Sequence, residues 1–579
     1  MDSTKIAPFK TVGLIAILIQ CHLCVAQPPD AGQILRQQEQ NMPKLERLPT
    51  PEIFEPEILI APEKGVTIEV KSIVINGAEA LENSDVLQSL VADAIGQRLN
   101  FVQLQKLTER ISQHLKAKGW LLTKAYLPKQ DVTEGNIQIN ITQGRLEIND
   151  EGHSITIERS PDSRLDDEVI HERMRYVISG DTLQGDNLER TLLLLNDLPG
   201  IQTKTTLEKG KKAGTSRLGL NLKEGDLITG SGTIDDTGSR YTGSWVGNLN
   251  VNMNDAFGQG EQFSIGGTGA ENLGQGRVSF SIPLGYNGLQ MNTRYSYLHY
   301  NVGRELSKLG SSGVAQSTGI GLSYPFIRSR KFSLWGVADY TLKAMHDSSL
   351  DVMTSKKEIN NGKLGINGQV LDDFLGGGLN QFSYDTTLGN VDLFLPSERE
   401  GDKSTARTLG IYNKHNFSFT RLQKITDSLS FFAMANGQLA VHNLASAEKF
   451  ILGGPSGIRA YPTGEASGDS GYVANFELRY DLPYQNEIGS LQLVGFFDTG
   501  YIVQHTTRWK NDVTNITGQN DYNLHGAGIG INVAVGNNIS IRGTWAHTIG
   551  SNFGRNAAGN DSSGQHDEQR FLLNTAIYF

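Results

Sequence analysis

From Leu227 to Phe579 helical spacing gives way to an alternation of period two, and this most narrows what the chain can become. Tyr241, Gly243, Trp245, Gly247, Leu249, Val251 and Met253 alternate with Thr242, Ser244, Asn248, Asn250 and Asn252. Leu289, Met291, Tyr295 and Tyr297 do the same against Gln290, Asn292, Arg294 and Ser296, and Ile539, Ile541 and Trp545 against Ser540, Arg542 and Thr544. A strand with lipid on one side and water on the other needs this pattern, in segments of ~10 residues separated by turns. A soluble sandwich or propeller alternates too, so the C-terminus decides. Phe571, Leu573, Thr575, Ile577 and Phe579 alternate up to a terminal aromatic carboxylate, the form of an outer-membrane assembly signal. The runs count to about 16 strands, an even number, as such barrels have. A barrel of that size is wide enough for an aqueous lumen.

Composition removes the competing classes. Only 38% of the residues are hydrophobic, which excludes a polytopic helical membrane protein. Charged residues make up 20% of a chain with 65 glycines, 18 tyrosines and 22 phenylalanines, which is not a disordered polyelectrolyte. A net charge of -10 lacks the basic footprint of a nucleic-acid binder. At the N-terminus Lys5 and Lys10 precede the apolar run Thr11 to Ile19, and Cys24-Val25-Ala26 supplies small residues for cleavage. This reads as a secretory signal peptide over 1–26. A membrane anchor would need a longer run than one interrupted by Gln20 and His22, and Gln20 is too large to precede a lipoprotein cysteine. Both cysteines, Cys21 and Cys24, fall inside this segment, so the mature chain would have none. An acidic, Gly-rich, cysteine-free exported chain points to the bacterial envelope.

Between these ends lie three further regions. Residues 27–64 open with a short helix, Asp30 to Gln40, which Asp30 is placed to cap. Pro43, Pro49, Pro51, Pro56 and Pro62 then make an extended linker. Residues 65–144 carry a strand at Thr67 to Ile75 and a helix that Asn100 caps and Gly119 stops, with Phe101, Leu104, Leu107, Ile111 and Leu115 on one face. Strands at Leu121 to Leu127 and Asn136 to Thr142 follow. A similar order recurs over 145–225. Asp167 to Ser179 is helical, and a second helix behind Asp186 ends at Pro199-Gly200. Strands at Ile201 to Leu207 and Arg217 to Leu222 complete the unit. The expected architecture is two α/β units followed by a 16-stranded antiparallel barrel over 226–579.

No enzyme chemistry stands out. Gly210-Lys211-Lys212-Ala213-Gly214 has the wrong spacing for a phosphate loop. Gly526, Gly528 and Gly530 lie in an alternating strand with no helix after them. The 12 histidines lack metal-ligand spacing, and no serine sits in a nucleophile elbow. The reading is therefore a non-enzyme with no metal and no cofactor. The densest motif is Phe450 to Asp481, FILGGPSGIRAYPTGEASGDSGYVANFELRYD, too long for a barrel turn. Its last strand puts Tyr472, Ala474, Phe476, Leu478 and Tyr480 on one face and Asn475, Glu477, Arg479 and Asp481 on the other, the lumenal one. In Leu491 to Val503, the apolar set Leu491, Leu493, Phe497 and Tyr501 turns Gln492, Phe496, Asp498 and Gly500 inward.

On these residues the chain resembles the TpsB outer-membrane transporters of two-partner secretion, as in haemolysin and filamentous-haemagglutinin export. Ile458-Arg459-Ala460-Tyr461 matches the family's V-R-G/A-Y loop motif, with Ile for Val and Ala at the Gly position. Phe497-Asp498-Thr499-Gly500 falls on the last four positions of its F-x-D-x-G motif, and Asn196-Asp197-Leu198-Pro199-Gly200 matches the end of a helix in its second POTRA (polypeptide-transport-associated) domain. The resemblance spans the mature chain. It implies a plug helix and linker over 27–64, POTRA domains over 65–144 and 145–225, and a barrel over 226–579 with a lumen-directed loop over 447–471. It also implies passive, ATP-free export of an unfolded TpsA-type exoprotein docked on the POTRA domains, a sheet edge of which can accept an extended segment. Outer-membrane lipid and the barrel assembly machinery are the other implied partners, with no nucleic acid. Arg459 is expected to pair with Asp498, with Glu477 as the competing partner and Gly500 beside them. Phe579 is expected to carry the assembly signal. An insertase of the same superfamily and a diffusion porin remain as alternatives.

Overall fold

The computed structural model describes residues 28–41, 53–54, 67–78, 81–147, 155–175, 177–179, 182–212, 215–483, 489–512, 515, 517–536, 538–556 and 558–579. The expected signal peptide and most of the Pro-rich linker lie outside the described residues.

In the first α/β unit, Ser72–Asn76 pairs in parallel with Asn136–Gln143, which pairs antiparallel with Thr123–Tyr126. The helix Phe101–Ala117 starts in a capping box formed by Asn100 and Gln103. Its Leu104, Leu107, Ile111 and Leu115 pack with Ile137 and Ile139. Phe101, expected on this face, is instead 61% exposed. Side chains lean toward a helix's N-terminus, so one at the first helical position points past the end of the packed turn.

The second unit repeats the plan. Ile201–Lys209 and Thr215–Glu224 pair antiparallel, and Ile155–Arg159 joins the latter in parallel. Leu188, Leu192 and Leu195 of the helix Gly185–Asn196 pack on Leu218, Leu220 and Leu222. The first helix of this unit is Asp167–Met174, shorter than the Asp167 to Ser179 read from the sequence. Ile178–Ser179 pairs with Thr182–Leu183, and Gly180-Asp181 between them is a hairpin signal that outcompetes helical spacing. Ile53–Phe54 of the linker pairs in parallel with Thr205–Thr206, adding a strand to the edge of this sheet.

Sixteen antiparallel strands then close a barrel, from Ile228–Asp235 to Gln569–Tyr578. Leu249, Ile265, Leu364, Ile529 and Phe571 stand exposed on its outer wall, as lipid-facing residues of such strands must. The second strand begins only at Val246, so Tyr241 and Gly243 belong to the preceding loop and not to the alternation. Gly243 has φ +123°, and the Gly238 N–H donates to Ser244 O, so the chain turns where the pattern ran on by chance. Tyr241 is buried inside.

The second unit is joined to the barrel by charged residues. Asp197 receives Arg328 bidentately at 3.0 and 2.7 Å, and Arg190 donates to Pro325 O at 2.7 Å. These contacts explain the Asn196–Gly200 motif. Asn196 accepts the Thr203 N–H at 2.6 Å, Leu198 is buried, and Gly200 turns the chain with φ +77°. Arg164 donates to Asp255 O, in the turn after the second strand, at 3.2 Å. Burial pushes the Asp255 carboxyl up to about 6; the Gly260 N–H opposes this, while Glu261 and Glu224 add to it.

Candidate functional site

Residues 441–469 connect the eleventh strand, Leu429–Ala440, to the twelfth, Ser470–Asp481, and turn into the barrel. Ser470 and Gly471, expected in the loop, belong to the strand. Phe450–Ile451 and Ser467–Gly468 pair as a narrow stalk. Beyond the stalk the chain is tightly folded. A side chain at Gly453 would overlap Pro462 O, and one at Gly457 would overlap Leu452 O. The Ile458 N–H donates to Leu452 O at 2.8 Å and the Tyr461 N–H to Ile458 O at 3.1 Å, a turn that presents Arg459 to the wall. Ile458, Ala460 and Tyr461 are buried with Val473, Phe496, Leu524 and Ala546 on the lumenal face.

Arg459 meets both acidic residues at once. Its Nε and Nη2 donate to Asp498 Oδ2 and Oδ1 at 2.9 and 2.7 Å, and its Nη1 donates to Glu477 Oε1 at 2.5 Å. The Arg459 backbone N–H adds a third bond to Asp498 at 3.0 Å. The Phe496 ring lies 3.6 Å from the guanidinium carbon. Asp498 is wholly buried, and Asn475 completes its shell at 2.8 Å. Glu477 is held from its other side by Arg479 Nε at 2.8 Å. Pairing of Asn475 with Asp498 and of Glu477 with Phe496 across the twelfth and thirteenth strands puts all these groups on one inward face. Gly500 offers no polar partner. It leaves room for Ile458 and Leu452, which a side chain there would meet at 3.1 and 3.0 Å. Ala460 sits against Gly526 in the next strand. Phe579 ends the seam between last and first strands, exchanging backbone bonds with Gly230 at 2.7 and 3.0 Å.

A second element lies inside the barrel. The helix Ala31–Asn41 is capped by Asp30, whose Oδ1 accepts the Gln33 N–H at 2.7 Å. Its Ala31, Ile34 and Leu35 are buried among Leu298, Tyr300, Ala315, Met345 and Tyr412 of the wall and Leu444 and Ala447 of the loop. Asp30 also accepts Ser446 Oγ at 2.7 Å and faces Lys357 at 3.4 Å, while Asp347 accepts the Ala31 N–H at 2.9 Å. From the other end of the helix a chain of charges runs inward. Glu39 pairs with Lys343 at 2.9 Å, Lys343 with Glu448 at 3.2 Å, and Glu448 with Lys414 at 2.8 Å. Arg36 donates to Lys449 O at 3.1 Å. Reading the sequence missed Lys343, Asp347, Lys357, Lys414 and Glu448. For Lys343, Asp347 and Lys414 the available signal was charge at positions sharing parity with the lumenal side of their strands.

Fold and site together define a POTRA-bearing outer-membrane barrel with an arginine-anchored lumenal loop. The comparisons with known proteins agree. Residues 214–533 match the family of the haemolysin secretion/activation proteins ShlB/FhaC/HecB, and residues 68–144 match the ShlB-type POTRA domain. The chain belongs to the ShlB/FhaC/HecB family. The heme/hemopexin transporter protein HuxB of Haemophilus influenzae (strain 86-028NP) is 25% identical over 508 residues, covering 85% of this chain and 86% of HuxB. The outer membrane transporter CdiB of Dickeya dadantii is 24% identical, covering 81% of each chain. Among solved structures, CdiB from Escherichia coli superposes with a TM-score of 0.68 at 21% identity, over 96% of this chain and all of that one, and shares the fold. The chain is accordingly an outer-membrane transporter of the TpsB type, a class that works with secreted TpsA-type exoproteins.

Proposed function

We propose that this transporter rests closed, with the helix Ala31–Asn41 as plug and the loop 441–469 as an inner gate, and opens when an unfolded exoprotein docks on its POTRA domains. In this reading residues 1–26 are removed on export and 27–64 supply plug and tether. The units at 65–144 and 145–225 bind the client in the periplasm, and the barrel of 226–579 conducts it outward. Arg459, Asp498 and Glu477 are the latch of the inner gate, with Ile458, Ala460 and Tyr461 seating it against the wall beside Gly500. Phe579 is the residue read by the barrel assembly machinery. Transport draws on no nucleotide, and folding outside the cell draws the client through.

The observation that carries this reading is that two elements pack inside the barrel, the helix Ala31–Asn41 and the stalked loop 441–469, and touch each other through Asp30–Ser446 and Arg36–Lys449. The test compares culture supernatants of cells making a large exoprotein with the whole chain, without it, and with a chain lacking both POTRA domains whose barrel is checked by heat-modifiable migration. Release is expected with the whole chain only. Normal release without the POTRA domains would move client recognition into the barrel and overturn the proposal.

A further inference from the structure

The barrel is closed by its weakest junction. Five residue pairs join the first strand to the last, Ser231 to Asp235 against Asn574 to Tyr578, whereas every other junction has between 8 and 18. The Gly230–Phe579 bonds support the periplasmic end of this seam. At the other end, away from the POTRA domains, the Asp236 N–H donates to Leu573 O at 3.2 Å and Asp236 Oδ1 accepts the Leu573 N–H at 2.8 Å; beyond them the first strand runs into a loop, and the returning limb of the lumenal loop reaches both sides. Thr463 Oγ1 donates to Thr237 O, in the loop after the first strand, at 2.7 Å. Two residues on, Glu465 accepts Asn552 Nδ2 at 2.7 Å and the Ser562 N–H at 2.6 Å, both from the loop before the last strand. Glu465 is only 2% exposed. A carboxylate so buried is costly unless its oxygens are bonded, and both are bonded to the far side of the seam.

We propose that Glu465 is a positioning residue that, together with Thr463, staples the two ends of the barrel sheet through the lumenal loop, so that departure of the loop also frees the seam. Nothing in the Arg459 latch requires this. The latch grips the twelfth and thirteenth strands, while the staple grips the first and last. One displacement then empties the lumen and loosens the wall at the junction with the fewest pairs, giving a bulky client both a path and room.

The test is a disulfide across the seam, in the full chain with Cys21 and Cys24 replaced by serine. Gly232→Cys and Ile577→Cys are directly opposed, and opposed residues lie close enough to bridge on oxidation. Leu249→Cys with Gly267→Cys, opposed across the second junction, is the control. Glu465→Ala is expected to slow seam oxidation several-fold and leave the control rate unchanged. Glu465→Gln, which keeps an acceptor oxygen, recovers most of the rate. Thr463→Val, nearly isosteric, slows it on its own and serves if Glu465→Ala does not assemble. In an Arg459→Ala background, Glu465→Ala adds no further slowing. An unchanged seam rate in Glu465→Ala and Thr463→Val, or equal slowing at the control junction, overturns the staple.

Discussion

Replacing Arg459 by Ala takes one cation from three neighbours, Asp498, Glu477 and the Phe496 ring. Asp498 has no solvent to fall back on. Breaking such a buried pair from one side costs about 3–5 kcal/mol, because the remaining charge is left uncompensated. Loss of the ring contact adds about 0.5–2 kcal/mol. Some is recovered, since Asn475 still donates to Asp498 and Arg479 still holds Glu477. Taking 3–5 kcal/mol at about 1.4 kcal/mol per decade, the docked loop loses roughly two to three and a half orders of magnitude against the undocked one.

Two assays read this. Maleimide labelling of Ala460→Cys, buried in the seated loop, should rise sharply on adding Arg459→Ala, and exoprotein in the supernatant should fall while the barrel still assembles. Arg459→Lys should lie between, because an ammonium keeps the charge but cannot span two carboxylates with a fixed fork. In a double-mutant cycle Arg459→Ala and Asp498→Ala should couple by about 1.5–3 kcal/mol, the range for hydrogen bonds to charged groups. Strictly additive losses, or a fully secretion-competent Arg459→Ala with the loop still protected, would refute the reasoning.

Asp30→Ala removes the helix cap and the contacts to Ser446 and Lys357. A lost cap costs about 0.5–2 kcal/mol, so full-conductance openings in planar bilayers should become up to ~30-fold more frequent, and an unchanged frequency would mean these contacts do not hold the plug. Deleting 27–40 together with Arg459→Ala should raise conductance by more than the two changes separately, and simple additivity would make helix and loop independent. Burial raises the Asp255 carboxyl to about 6, so its ionisation weighs against the folded state increasingly between ~4, the unfolded value, and 6. Asp255→Asn should therefore raise the melting temperature more at pH 7 than at pH 4.5, and a gain independent of pH would assign the effect to packing.

Much of this was legible because a strand's period is local. Parity alone turned Asp498 and Glu477 inward, since neighbours two residues away report the face of each strand. Asn100 and Asp30 were legible as caps because a cap needs partners only three residues away. Contacts between distant segments were not. Asp30 meets Lys357 across 327 positions, and Glu39, Lys343, Glu448 and Lys414 come from a helix, two strands and a loop, with no periodicity to link them. Two of the errors share a cause as well. Tyr241 continued the alternation and Val177 to Ser179 the helix, until Gly243 in one case and a short hairpin in the other imposed a turn that pattern alone does not weigh.

The arrangement of contacts also sets an order of events. The helix Ala31–Asn41, with its cap Asp30, touches both limbs of the lumenal loop, the outgoing one through Ser446 and Lys449 and the returning one where Gln37 lies against Gly464. The Arg459 latch lies between these limbs, at the tip and against the wall. With the helix in place, swinging the loop out would have to break the latch and strip Asp30, Arg36 and Gln37 of their loop contacts together. With the helix gone, only the latch and the contacts that Thr463 and Glu465 make to the outer loops resist. In the cycle proposed above, a client in the periplasm would act on the helix through the segment that follows it, of which Ile53–Phe54 lies on the edge of the second POTRA sheet. The latch, walled in by Phe496 and Asn475, offers it no such handle. Plug first and loop second is therefore the low-cost sequence. Under it, breaking the latch in a chain that keeps its helix costs secretion without opening a channel, whereas the same change without the helix opens one.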